Sequence, residues 1–566
     1  MSIPLARSRR RALPVRIGDR LIGGDAPVLV QSMTTTLATD LPATLAQCRE
    51  LAEAGCGLIR VTAPSVAAAQ ALGPLRQALD AAGHGGLPLC ADVHFQPRAA
   101  YAALEHVEKV RINPGNFADR PIADWNAYDD ADFAADRQRA AATAGAFFAA
   151  AAERGRAVRI GVNHGSLSDR MTLRHGNTPA GMVAAALEYC DFAEAVGHRE
   201  LVISIKASQP GVMVTTVREL VAALEARGIP YPLHLGVTEA GSGLEGRVAG
   251  AVGIGALIAD GIGDTLRVSL TEPPLAELAP ARTLAGLLAA PGGSADTGSA
   301  AAWTQTPARR GGPLALGEVV LGGGHPPAVL ASTPDADLDP AQLETVRIRP
   351  GAALIPDVPV QLADLRDTDD LRALCSALRA APHPLLIGLG DTGTCPPVQA
   401  YRALTAAILT GAAHHALLLH DTDPDPVVCA ARLGALLLDG AGDAIWLPGV
   451  PQPGPTAFAI LQAAGARITR ARIVSCPTCG RTAVDLLALT EEVKTATAHL
   501  NGLTIGVMGC VVNGPGEMAD ADYGLVGAGP DHLHLYRGRT VVRRDLTLTT
   551  APTALLELIE ADRLQS

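Results

Sequence analysis

Between residues 28 and 270, short apolar runs rich in β-branched residues alternate with longer Ala- and Leu-rich stretches, the pattern of parallel strands joined by helices. Eight runs stand out: VLVQSMT (28–34), GLIRVTAPS (57–65), LCADVHF (89–95), KVRINPGN (109–116), VRIGVNHGS (158–166), LVISIKAS (201–208), LHLGVTEAG (233–241) and DTLRVSL (264–270). Eight strand–helix repeats in about 250 residues predict a (β/α)8 TIM barrel. Each run begins apolar and finishes polar. Gln31 and Ser32, Arg60, Asp92 and His94, Arg111 and Asn113, Arg159 and Asn163, Lys206, His234 with Thr238 and Glu239, and Arg267 with Ser269 stand at the carboxyl ends. In such a barrel those ends open on one mouth, so four arginines and a lysine should ring one bowl. Guanidinium forks match phosphate oxygens, and buried charge of one sign calls for a counter-ion. A diphosphate-type ligand suits the bowl.

Residues 286–313 turn to Gly, Ala and Ser, a linker composition. Beyond them the start of the chain is echoed. VRIGDRLIGGDAP (15–27) returns as LALGEVVLGGGHP (314–326), KVRINPG as TVRIRPG (345–351), and ALIADGIGDTLRVSL (256–270) as ALLLDGAGDAIWLPG (435–449), in the same order. A degenerate, shortened copy of the barrel is expected over 314–468. The copy keeps turn glycines and apolar strands but sheds the mouth chemistry. Arg267 falls on Trp446, Ser269 on Pro448 and, through LLIGLGDT (385–392), Lys206 on Gly390. This domain reads as a spacer and docking surface without activity.

Near the end of the chain, SCPTCGR (475–481) places Cys476 and Cys479 at CxxC spacing, and GCVVNGPGE (509–517) adds Cys510. Three thiolates suit a cubane [4Fe–4S] cluster with one iron left for another ligand. Structural zinc would want a fourth donor, which His532 or His534 could provide; incidental thiols are the third reading. The Gly/Pro-rich turn after Cys510 can bring Glu517 back toward the sulfurs as a weaker, exchangeable ligand.

Composition narrows the class. At 566 residues the chain should form several domains, and a net charge of −11 argues against general nucleic-acid binding. The ten cysteines are scattered and no secretion signal is expected, which fits a reducing, cytoplasmic setting. No apolar run approaches the roughly 20 residues of a membrane span. The basic LARSRRRALPV segment reads as a solvated arm.

RVTAPS, ADVHF, VRINPGN, RIGVN, KAS, HLGVTEAG, GIGDTLRVSL, CPTCGR and GCVVNGPGE together resemble the family of 4-hydroxy-3-methylbut-2-enyl diphosphate synthases, in its large three-domain form. The similarity covers residues 15–285 and 470–530. It implies a catalytic TIM barrel over 1–285, a linker over 286–313, the barrel-like insert over 314–468 and a small α+β iron–sulfur domain over 469–566. The implied reaction is the two-electron reductive ring opening of 2-C-methyl-D-erythritol 2,4-cyclodiphosphate, with loss of water, in the methylerythritol phosphate route to isoprenoids. Flavodoxin or ferredoxin would donate the electrons, and the protein would be a monomer or homodimer. The resemblance also implies a [4Fe–4S] cluster on Cys476, Cys479, Cys510 and Glu517, with Asn513 nearby. Arg60, Arg111, Arg159, Lys206 and Arg267 would grip the diphosphate, helped by Asn163, His234 and Ser269. Asp92, His94 and Glu239 would contact substrate or deliver protons, and Glu517 would be a placeholder that substrate displaces. Gly480 stands where small-form members commonly have Ser, and His164 where many have Ala. A pterin-condensing type of barrel enzyme with a structural zinc module is the alternative reading; it would leave Glu517 idle.

Overall fold

The computed structural model describes residues 8–288, 313–316, 319–331, 345–347, 360–411, 415–476, 478–480, 482, 484–510, 514, 518 and 521–565. The chain forms two compact units. One comprises Arg11–Ser242, Gly263–Ala285 and Arg470–Ser566; the other Met1–Arg10, Gly243–Ile262 and Gly286–Thr469.

In the larger unit a hairpin of β1 (Val15–Ile17) and β2 (Arg20–Ile22) precedes eight strands: β3 (Leu29–Met33), β4 (Leu58–Thr62), β5 (Leu89–Asp92), β6 (Lys109–Ile112), β7 (Ala157–Asn163), β8 (Leu201–Lys206), β9 (His234–Leu235) and β10 (Thr265–Leu266). They pair in parallel in the order β8-β7-β6-β5-β4-β3-β10-β9, and a bridge between Ile203 and Leu233 closes the ring. The α/β barrel read from the alternating pattern is present. Local chemistry starts its helices: Asp40 accepts from Ala43 N, Ser65 from Ala68 N, and Asp129 forms a capping box with Asp132. Val15, Ile17 and Ile22 of the hairpin pack with Leu58, Cys90, Ala157 and Val202. The amino end of the barrel is thereby stoppered with apolar side chains, and the polar strand ends are left to the opposite mouth.

The same unit holds a five-stranded sheet. Strands Arg472–Ser475, Thr504–Met508 and Tyr523–Gly529 run parallel, and His532–Arg537 and Thr540–Thr547 continue antiparallel. Leu489 and Val493 of helix Leu486–Ala496 and Leu555 and Ile559 of helix Ala551–Gln565 share its core with Leu525 and Leu535.

The smaller unit repeats parts of the barrel. Leu314–Leu316 and Val319–Leu321 form a hairpin, and six strands pair in parallel over residues 328–446. Ala444 pairs with Ala328 and Leu418 as Thr265 pairs with Leu29 and His234. Asp443 Oδ2 accepts from Leu417 N at 2.8 Å, as Asp264 Oδ2 accepts from Leu233 N at 2.8 Å. The GDT and GDA turns thus carry one hydrogen-bond pattern in both copies. The described part of the basic arm departs from expectation in part: Arg10 N donates to Gly261 O at 2.7 Å and Arg9 is only 7% exposed, while the Arg11 side chain stays exposed. Among the described residues no helix is long and apolar enough to cross a membrane.

Candidate active site

The strand ends converge as a parallel barrel requires. Arg60, Asp92, His94, Arg111, Arg159, Asn163, Lys206, Arg267 and Ser269 all line one cavity at the carboxyl mouth. Two glycines make room for the cations. A side chain at Gly161 would collide with the Arg111 guanidinium, and a Cβ at Gly236 would come within 2.7 Å of Lys206 Nζ.

The five cations are not equivalent. Arg111 Nη1 lies 3.0 Å from Asp92 Oδ1 and also meets His94 Nε2, while Nη2 donates to Gly161 O at 3.1 Å. Arg267 is held in a two-point fork by Glu277, a buried carboxylate that also accepts from Ser32 Oγ at 2.7 Å. Burial works against the Arg267 charge, yet Glu277 more than restores it and its pKa is raised. Among the described residues, no carboxylate is in hydrogen-bond contact with Arg60, Arg159 or Lys206. Arg60 rests its Nε and Nη2 on Met33 Sδ, and Arg159 Nη1 lies 2.9 Å from His234 Nδ1. Burial, then mutual repulsion, pushes the pKa of Lys206 and of Arg159 well down; Arg60 falls to about 10. Such a surplus of buried positive charge is stable only beside an anion.

Glu277 is missing from the sequence reading. His234 is buried behind Arg159 rather than on the cavity wall, with Nε2 lacking a hydrogen-bond partner among the described residues. Burial, with Arg159 and Lys206 beside it, drives its pKa well below the usual imidazole range. Glu239 also stands off the wall. Its backbone takes the left-handed conformation, φ 57°, uncommon for a residue with a side chain and frequent at functional sites.

Cys476, Cys479 and Cys510 line the same cavity, with Thr482 and Met508. Two neighbouring parallel strands bring them there: Ser475 pairs with Val507, so the CxxC turn and the loop bearing Cys510 leave the sheet side by side. Gly509 N donates to Cys476 Sγ at 3.2 Å. Burial, followed by the nearby Cys479, Cys510 and Glu239, raises the Cys476 thiol well above its ordinary pKa. Among the described residues no group of three or more His, Cys, Asp or Glu is arranged to hold a metal ion. Glu517 and Asn513 lie outside the described residues.

The cysteine-bearing sheet rests on the barrel of its own chain. Ala240 bridges to Ser475, Thr271 Oγ1 lies 2.8 Å from Ser475 Oγ, Ser242 Oγ donates to Glu491 at 2.5 Å, and Arg472 Nη2 donates to Ser208 Oγ at 3.0 Å.

Comparison with known proteins agrees with this architecture. The model of the GcpE TIM-barrel domain matches residues 12–282, and that of the GcpE protein C-terminal domain matches residues 472–561. A 4-hydroxy-3-methylbut-2-en-1-yl diphosphate synthase (flavodoxin) of Akkermansia muciniphila is 40% identical, over 98% of this chain and 97% of its own. Proteins of the same name from Porphyromonas gingivalis and Leptospira interrogans are 39% and 34% identical, each over at least 97% of both chains. A dihydropteroate synthase structure from Xanthomonas albilineans matches at 15% identity with a TM-score of 0.30, over 48% of this chain and 96% of its own, and bears no weight here. The pterin-condensing alternative is therefore without support: full-length relatives carry a different activity in their names. By these matches the chain belongs to the GcpE family of 4-hydroxy-3-methylbut-2-en-1-yl diphosphate synthases.

Proposed function

We propose that this chain reductively opens the ring of 2-C-methyl-D-erythritol 2,4-cyclodiphosphate, with two electrons and loss of water, to 4-hydroxy-3-methylbut-2-enyl diphosphate in isoprenoid biosynthesis. Flavodoxin, the donor named for its relatives, supplies the electrons. The observation that carries the reading is a single cavity lined by both the strand-end cations and three cysteines.

A [4Fe–4S] cluster fits this donor set, with Cys476, Cys479 and Cys510 as thiolate ligands and Glu517 as the exchangeable fourth. The backbone N–H of Gly509 on Cys476 Sγ supports it, since such hydrogen bonds stabilise thiolate sulfur. When bound, the cluster supplies electrons and a Lewis-acidic iron at the cavity wall.

The protein's own residues do the rest. Arg60, Arg159 and Lys206 hold the substrate's two ionised phosphates. Arg111 and Arg267, oriented by Asp92 and Glu277, present their remaining N–H groups to phosphate oxygens and favour departure of the ring oxygen. Asn163 and Ser269 add neutral hydrogen bonds, His94 steadies Arg111, and His234 steadies Arg159. Glu239, near Cys476, passes its carboxyl proton to the oxygen of the departing hydroxyl.

The cysteine-bearing domain, 469–566, serves the barrel of its own chain, 1–285, in the cytoplasm. The insert, 314–468, joined by the linker 286–313, acts as spacer and docking surface. Anaerobic purification tests the reading. The protein should be brown, hold about four irons and four sulfides per chain, and turn over the cyclodiphosphate with reduced flavodoxin. Zinc alone in the purified protein would overturn it.

A further inference from the structure

Lys109 lies off the wall of the cavity. It lies on β6 two residues before Arg111, and the two-residue period of a strand puts both on the inward face, Lys109 one layer deeper. Its cross-strand partners Cys90 and Ala157 belong to the apolar floor of the barrel. The side chain is fully buried, and Nζ has no hydrogen-bond partner among the described residues. The charged and titratable groups acting on it are Cys90 on β5, Arg60 on β4 and Arg159 on β7, and it acts in turn on His234 of β9. Among the described residues no carboxylate offsets it.

A buried ammonium without a partner is costly, whereas the neutral amine is tolerated. Burial first, then the neighbouring guanidiniums, brings the Lys109 pKa down to about 8. The scaffold does not demand a lysine at this position. In the echo KVRINPG/TVRIRPG, Thr345 stands opposite Lys109.

We propose that Lys109 takes up a proton when the anionic substrate enters the cup above it, so that substrate binding and protonation of this buried amine are coupled. The inference rests on the reading of the cup as the cyclodiphosphate site. In that substrate each phosphorus carries one ionised oxygen and no second proton that titrates near neutrality. Protons taken up on binding therefore go to the protein. The step is a transfer from buffer to Nζ, with no bond to substrate made or broken. The incoming negative charge raises the Lys109 pKa, so uptake is absent at pH values where the free amine is already charged and appears as the pH passes through 8.

Calorimetry on the full-length, cluster-loaded protein tests this, under anaerobic conditions without reductant so that substrate binds but does not react. The cyclodiphosphate is titrated at pH 8 and at pH 6.5 in buffers of different ionisation enthalpy. The dependence of the heat on buffer counts the protons. Proton uptake per substrate should be larger at pH 8 than at pH 6.5. K109M should lose the pH 8 uptake. K109R, permanently charged, should bind substrate with no uptake. Binding heat without proton uptake in the native protein at pH 8 would overturn the proposal. So would full uptake in either variant, which would assign the proton to Lys206 instead. Failure of the native protein to bind substrate would strike earlier, at the reading of the cup.

Discussion

Arg267 and Glu277 meet in a fork, with Nε 2.9 Å and Nη2 2.6 Å from the two carboxylate oxygens, both side chains almost fully buried. The cation sits on the last barrel strand run and the anion on the turn Pro274–Glu277 that follows it. Glu277 also accepts from Ser32 Oγ and, at 3.3 Å, from Leu270 N, so its position is fixed from three sides. Arg267 consequently reaches the cavity in one orientation.

Glu277→Ala should strand a buried guanidinium. Loss of one partner of such a pair costs about 3–5 kcal/mol, so the midpoint of denaturant unfolding should fall markedly. Glu277→Gln keeps an acceptor and should fold. Without the second charged contact its kcat/KM should drop about tenfold to a hundredfold, read in steady-state assays with reduced flavodoxin. Native kinetics in Glu277→Gln would free Arg267 from this dependence.

Glu239→Gln should lower turnover by about a hundredfold to ten-thousandfold, the usual range for removing a positioned proton donor. The iron content and visible spectrum should match the native protein, because Glu239 is not among the proposed cluster ligands. Unchanged turnover would remove Glu239 from the proton path.

How much of this could be read from the chain follows from physics at particular residues. Arg60, Arg111, Arg159, Lys206 and Arg267 are legible because a parallel barrel puts every strand's carboxyl end on the same side. Glu277 is not, since it lies on a short 3-10 turn past the last strand, where no periodicity marks which way a carboxylate faces. Lys109 stands at the start of its run, and attention to strand ends passes over it, although its two-residue spacing from Arg111 places it inside. His234 is in the right run but behind Arg159, a distinction of depth that alternation alone does not make. The echo of GDT in GDA is legible because the Asp264 and Asp443 carboxylates accept from the N–H of Leu233 and Leu417 in the same way, a role independent of the mouth residues.

Gly480→Val should hold the CxxC loop away from the barrel. A Cβ on Gly480 would stand 2.5 Å from Thr36 O, against backbone that cannot easily yield. Iron loading should persist, because Gly480 is no ligand, while turnover with saturating flavodoxin should fall about tenfold or more as the two walls of the cavity separate. Gly480→Ser should fall in between. An activity equal to the native value in the valine variant would show that the loop tolerates a larger gap.

Within the smaller unit, helix Gly243–Ala259 and helix Pro426–Leu438 are joined through glycine at equivalent echo positions. A side chain on Gly255 would run into the Ala431 backbone, and a Cβ on Gly434 would come within 2.6 Å of Val252. Gly255→Leu should therefore destabilise this unit by about 1–3 kcal/mol, the range for overpacking. The midpoint of thermal unfolding should fall accordingly.

The contacts of Thr271 with Ser475 and of Ser242 with Glu491 join barrel and cysteine domain of one chain, which makes complementation between chains informative. Arg60→Ala disables the cup and Cys476→Ser disables the cluster, each leaving the other half intact. If a chain closes on itself, every molecule in a mixture of the two variants contains one broken half, and activity should stay at the sum of the separate residual rates. If halves were exchanged between two chains, one of the two sites in a mixed dimer would be wholly native, and random mixing would restore about a quarter of native activity. Recovery anywhere near that level would mean that the same contacts are made between chains.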